Sequence, residues 1–248
     1  MKKKGLFLLV GLVGFIIFAV SVSWFDFSKP TAFPTHDQLI AEMNGLFPEA
    51  AASVIQDTIF LDERHVYVPF ISKEDRYSSS YWVWKKKGWK VAYIKTSGEP
   101  RIWKINQKDS STYHLVWNFY PEEELDEIRF NLVRNRGYSV SEGVETYYPR
   151  VQMQREVSLK ESPFGALQLP KEWVTFINPL MKMEKAKQPG LLSYFDLKQY
   201  MYFGWMAYDE NEQRVLPIMT QHNSGFSLEN EDIDFVMSLN EMELEFPE

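Results

Sequence analysis

Apolar positions along this chain follow three patterns in succession: one unbroken run, one helical stripe, then alternation. The unbroken run is Gly5 to Phe25, which holds no charged side chain and follows Lys2, Lys3 and Lys4. As a helix it is about 31 Å long at ~1.5 Å per residue, against a hydrocarbon core of ~30 Å. The pattern predicts a transmembrane anchor over 5–25, with 1–4 cytoplasmic because lysines stay on that side. Trp24 and Phe25 suit the interfacial belt of such a span. The alternative is a cleaved signal peptide ending near Ala19-Val20-Ser21 or Ser21-Val22-Ser23.

Residues 26–34 read as a tether, since Pro30 and Pro34 interrupt regular structure. Thr35 and Gln38 predict a capping box. Leu39, Ile40, Met43, Leu46 and Phe47 follow at helical spacing until Pro48. Alternation then predicts strands at Val54–Leu61, His65–Ile71, Tyr81–Lys85, Trp89–Ile94, Arg101–Ile105, Thr112–Tyr120, Glu127–Val133 and Arg150–Leu159. Lys86-Lys87-Gly88 predicts a hairpin turn with Gly88 at positive φ. Short aromatic and β-branched strands in this sequence favour an antiparallel sheet.

Ser162-Pro163-Phe164-Gly165 is the best internal boundary. It separates a β-rich region, 35–160, from an α+β C-terminal region, 161–248, packed on the same domain. In the latter, Pro170 predicts the start of a short helix through Ile177. Met181–Gly190 reads as a polar loop, and Tyr200–Tyr208 with Gln213–Met219 as a hairpin. Asp232–Leu239 reads as a helix, and Met242, Leu244 and Phe246 as an exposed last strand. The expected fold class is α+β: an N-terminal transmembrane helix, then a mainly antiparallel, β-rich extracytoplasmic domain with a few short helices. One anchor, one helix and a curled antiparallel sheet resembles cystatin-like and nuclear-transport-factor-like exported domains. That likeness is architectural and implies no activity.

Composition narrows this picture. Apolar residues make up 45% of the chain, enough for a packed core. There is no cysteine, which excludes disulfides, thiolate metal sites and thioether lipidation. An exported fold of this kind rests on its core alone and fits bacteria that form few disulfides. Charge is uneven. Trp82–Lys108 holds eight basic residues and one acid, within a chain of net charge −7. Such asymmetry bears on partners rather than on fold.

The same segment carries the candidate binding residues: Trp82, Trp84, Lys85, Lys86, Lys87, Trp89, Lys90, Arg101 and Trp103. Trp82 and Trp84 share a face on a strand, and Trp89 falls beside one of them across the turn. One reading makes these rings core, because aromatics dominate burial. The other makes them an exposed platform, with interleaved lysines, for an anionic envelope polymer or lipid headgroups. Glu122–Glu127 and Asp209–Glu212 lack calcium-loop spacing and read as solvated loops. His36, His65, His114 and His222 form no His-x-x-x-His pair, and neither a P-loop nor Gly-x-Ser-x-Gly occurs. No cofactor or metal is implied.

The function expected from sequence is a non-enzymatic binding or accessory module of the cell envelope, anchored by one span. Its partners would be membrane lipid through 5–25 and an envelope protein or anionic polymer; nucleic acid is disfavoured by the acidic remainder. The alternatives are a carboxylate-dependent envelope hydrolase with a cleft against the C-terminal third, and an assembly or signalling subunit of a membrane complex.

Overall fold

The computed structural model describes residues 29–121, 125–141, 143–186, 201–217 and 224–245. Thr35 caps α1 (His36–Leu46), and its N–H donates to Gln38 Oε1 at 2.9 Å. Leu39 and Met43, one turn apart, are the buried residues of this helix. They lie on the first of three stacked sheets.

The first sheet contains β1 (Ala52–Ile55), β2 (Ile59–Phe60), β3 (His65–Ser72), β4 (Tyr77–Lys85) and β5 (Gly88–Lys95). Its order is β1-β3-β4-β5, with β2 also on β3. Period-two alternation divides its side chains. Val66, Val68, Phe70 and Trp82 pack with Leu39 and Met43 of α1. Tyr67, Tyr81 and Val83 pack instead with Trp103 and Val116 of the second sheet.

The second sheet is built from β6 (Arg101–Lys104), β7 (Tyr113–Asn118) and β12 (Phe164–Gln168), in the order β12-β7-β6. Its other face presents Ile102, Leu115 and Trp117 to the third sheet. Every residue of β7 is buried. An antiparallel sheet commonly leaves one face to water; this one is covered on both.

The third sheet holds β8 (Glu127–Arg134), β11 (Val151–Ser158), β13 (Met201–Tyr208) and β14 (Arg214–Val215), in the order β11-β8-β13-β14. Ile128, Phe130, Leu132, Trp205 and Ala207 face the second sheet. Trp173 and Ile177 of α2 (Lys171–Ala186) close the same core. Leu239 and Leu244 cover Val133, Met206 and Tyr208 on the outer face. A further hairpin, β9 (Gly137–Ser141) and β10 (Val144–Tyr148), continues the register of the β8–β11 ribbon and exposes Tyr138 and Tyr147.

Residues 224–238 run as a strap along the stack. Its β15 (Gly225–Ser227) joins β5, β16 (Ile233–Phe235) joins β6, and β17 (Met237–Ser238) joins β13 in parallel. Each sheet thus takes one strand from the strap.

Several expectations are corrected by this architecture. The β-rich antiparallel part agrees with the expected fold class, but the transmembrane helix in that class has no support. Among the described residues no helix is long and apolar enough to cross a membrane, and the expected span, 5–25, lies outside them. The transmembrane and signal-anchor description rests on that same span and likewise has no support among the described residues. A single curled sheet, as in the domains this chain was likened to, is replaced by three layers. Asp232–Leu239 is not helical, because pairing with β6 and β13 outweighs its acidic start and helical spacing. The proposed boundary at Ser162–Gly165 leads directly into β12, which pairs along β7. Phe33, expected in a tether, packs against Trp82 and Trp89 at 5.9 and 4.8 Å between ring centroids. Positive φ at the hairpin falls on Lys86 (50°) and Lys87 (61°), not on Gly88.

Candidate functional site

The structure separates the residues that sequence had grouped as a binding face. Trp82 and Trp103 are fully buried, and Trp84 is 4% exposed. The Trp82 indole N–H donates to Ser80 Oγ at 3.0 Å, and that of Trp103 to Glu231 Oε2 at 3.3 Å. Trp89 is Trp84's cross-strand partner, with ring centroids 5.6 Å apart, and its indole N–H donates to the Thr31 carbonyl at 3.0 Å. Of these four rings only Trp89 is even half-exposed. The exposed platform is therefore corrected to core: α1 takes one face of the first sheet and the second sheet takes the other.

The basic residues also diverge. Lys85 pairs with Glu231 at 2.6 Å and Glu229 at 3.4 Å. Lys86 and Lys87 project from the turn. Lys90 lies near Glu42, whose carboxyl is raised by burial despite a backbone hydrogen bond from Val91 and the Lys90 charge. Arg101 stands over the rings of Tyr93 and Phe235.

A different feature gathers polar and apolar groups into one concavity. A cleft of about 580 Å³ opens between the second sheet, α2, β13 and the strap. Ile102, Ile177, Leu180 and Phe203 give it an apolar lining, extended by the thioethers of Met181, Met201 and Met237. Met side chains adapt to irregular apolar shapes. One wall is polar. Asp232 and Asp234, two apart at the start of β16, both reach Lys104, with Asp232 Oδ1 at 3.9 Å and Asp234 in direct contact.

Tyr113 completes that wall. Its hydroxyl donates to the Gln107 carbonyl at 3.2 Å. Burial, then the charges of Asp232, Asp109 and Asp234, push its pKa up to about 12, so it stays a neutral phenol. Asp109 accepts hydrogen bonds from the Ser111 hydroxyl and N–H and from Asn178, and these hold its carboxyl below the usual value.

The geometry constrains the chemistry available here. A glycosidase pair places its carboxyls on opposite sides of the bond to be broken. Asp232 and Asp234 instead share one lysine on one wall. Among the described residues no group of three or more His, Asp or Glu side chains is arranged to hold a metal ion. His65 Nδ1 bonds Asp62 at 2.8 Å, and His222 lies outside the described residues. No protein-family model matches this chain, and no curated protein or solved structure matches it either. The assignment of function therefore rests on the cleft.

Sequence reasoning did not nominate the cleft residues. The signal that was available is the alternation Asp232, Asp234 against Ile233, Phe235, which has strand period. It was outweighed by acids placed as at a helix start.

Proposed function

We propose that this protein is a non-enzymatic binding module whose cleft takes the apolar part of a small amphiphilic ligand. The observation that carries this reading is the cleft itself: a methionine-rich apolar floor beside one wall of fixed polar groups. Ligand sites are commonly concave and apolar, with a few placed polar groups that set orientation. Here Lys104 is neutralised by two carboxylates, and the neutral Tyr113 phenol lies beside them. That wall suits the polar head of an amphiphile, while the thioethers accommodate chains of varied shape. The expectation of an anionic polymer on exposed tryptophans loses its support with their burial.

The test is fluorescence of N-phenyl-1-naphthylamine added to the full chain, followed by displacement with amphiphiles of increasing chain length. The expected result is one saturable site. Met237→Asp, a change at a residue already 43% exposed, should weaken it about tenfold without altering the circular dichroism. Unsaturable binding, or equal binding by the variant, would refute the reading.

A further inference from the structure

The cleft carries charges of both signs, and they are not spent alike. Its charged lining is Lys104, Lys108, Asp232 and Asp234. Both aspartates reach Lys104, whereas Lys108 has no carboxylate at ion-pair distance among the described residues. Asp234 is not exhausted by its contact. Its Oδ2 meets Lys104, its Oδ1 has no hydrogen-bond partner among the described residues, and its side chain is 54% exposed. Two carboxylates on one ammonium leave an excess of negative charge there.

The unspent cation belongs to the same wall. Lys108 stands in the turn between β6 and β7. Its N–H donates to Asn106 Oδ1 at 3.0 Å, and the Asn106 N–H donates to Thr112 Oγ1 at 3.0 Å. These bonds fix the turn. Tyr113 ties it to the acids. Its hydroxyl donates to the carbonyl of Gln107, the residue before Lys108. After burial, the charges that raise the Tyr113 pKa are Asp232, Asp109 and Asp234, all negative. One tyrosine therefore touches the Lys108 turn and lies in the field of the acids.

A head of one sign is favoured by part of this wall and opposed by the rest. A cation meets Asp234 but also faces Lys104 and Lys108. An anion meets Lys108 but also faces Asp232 and Asp234. An uncharged head covers both signs and pairs with neither, and charges that lose water unpaired weaken binding. Complementarity of this kind sets specificity more than raw affinity.

We infer that the amphiphile of this cleft has a zwitterionic head, with its acidic group at Lys108 and its ammonium at Asp234. This rests on the cleft being the binding site, as proposed above. Each contact involves exposed groups and is modest alone. The two together amount to about tenfold in affinity.

Displacement of N-phenyl-1-naphthylamine from the full chain tests this with dodecyl amphiphiles that differ only in the head, each below its micelle concentration. The zwitterions are dodecylphosphocholine and dodecyldimethylglycine, whose two charges come in opposite order along the molecule. The singly charged heads are dodecylamine and dodecanoate. One zwitterion at least should displace the dye about tenfold more tightly than either singly charged head. Lys108→Gln should narrow the gap between that zwitterion and dodecylamine. Asp234→Asn should narrow its gap to dodecanoate, and circular dichroism checks that both variants fold. Equal or tighter displacement by a singly charged head, or unchanged gaps in the folded variants, would overturn the head assignment and leave the cleft as an apolar site. Absence of any saturable dye site would overturn the cleft reading itself and this inference with it.

Discussion

Lys85 Nζ lies 2.6 Å from Glu231 Oε1, while the other oxygen of that carboxylate accepts from the Trp103 indole at 3.3 Å. One side chain of the strap therefore joins the first sheet to the second. Burial works against the Lys85 charge, but Glu231 and Glu229 outweigh it and raise its pKa. A lysine raised in the folded state adds stability that is fully present below about pH 10.4 and is lost as pH rises through the folded value. Lys85 is 41% exposed, so screening limits the effect. Lys85→Met should cost about 1 kcal/mol in urea unfolding at pH 7. The difference from wild type should shrink above pH 10.4, and Lys86→Met should cost close to nothing.

The hairpin tip offers the opposite kind of change. Both Lys86 and Lys87 occupy left-handed backbone, which side chains with a Cβ adopt at a cost and which Asn-Gly accepts readily. The double substitution Lys86→Asn with Lys87→Gly should raise stability by about 1 kcal/mol. A lower urea midpoint for this variant would count against the turn geometry.

Gly98 admits no side chain. A Cβ there would stand 1.6 Å from the Asn118 carbonyl oxygen, and the Asn118 N–H donates to the Gly98 carbonyl at 2.8 Å. Gly98→Ala should destabilise by about 3 kcal/mol or more. Gly45, in α1, has nothing within 4 Å of its added Cβ. Gly45→Ala should stabilise by about 0.5–1 kcal/mol. Thermal unfolding of the pair separates steric exclusion from helix propensity.

His114 sets an acid limit. Burial depresses its pKa, only partly opposed by its Nδ1–H bond to the Thr112 carbonyl and by Asp62. The unfolded chain takes up a proton below about pH 6.5 and the folded chain does not. Stability should therefore fall as pH drops from about 6.5 towards the folded value. His114→Gln should flatten that slope, read from urea midpoints between pH 7 and 5.

Part of this was legible in the sequence. Thr35, Gln38 and the Leu39–Met43 spacing specify α1 locally, and the structure shows that helix with that cap. β3, β4, β5 and β8 follow from alternation. The stacking of sheets does not, because alternation says that Tyr81 and Trp82 point to opposite faces but not that both faces are covered. That ambiguity kept an exposed tryptophan platform plausible. The strap was illegible for a related reason. Strands as short as β16 and β17 exist only through partners distant in sequence, β6 lying more than a hundred residues before β16, and isolated residues 232–239 carry the acids and spacing of a helix.

The strap also has a bearing on the order of events during synthesis. The ribosome releases β5 long before β15, β6 long before β16, and β8 before β13 and β17. Each sheet therefore waits with an open edge for residues made later. Pairing across such separations is slow, and unpaired edges invite association with other chains. Chains stopped before residue 224 should leave three unfinished sheets at once, and a late-acting escort is most useful to the nascent protein in that interval.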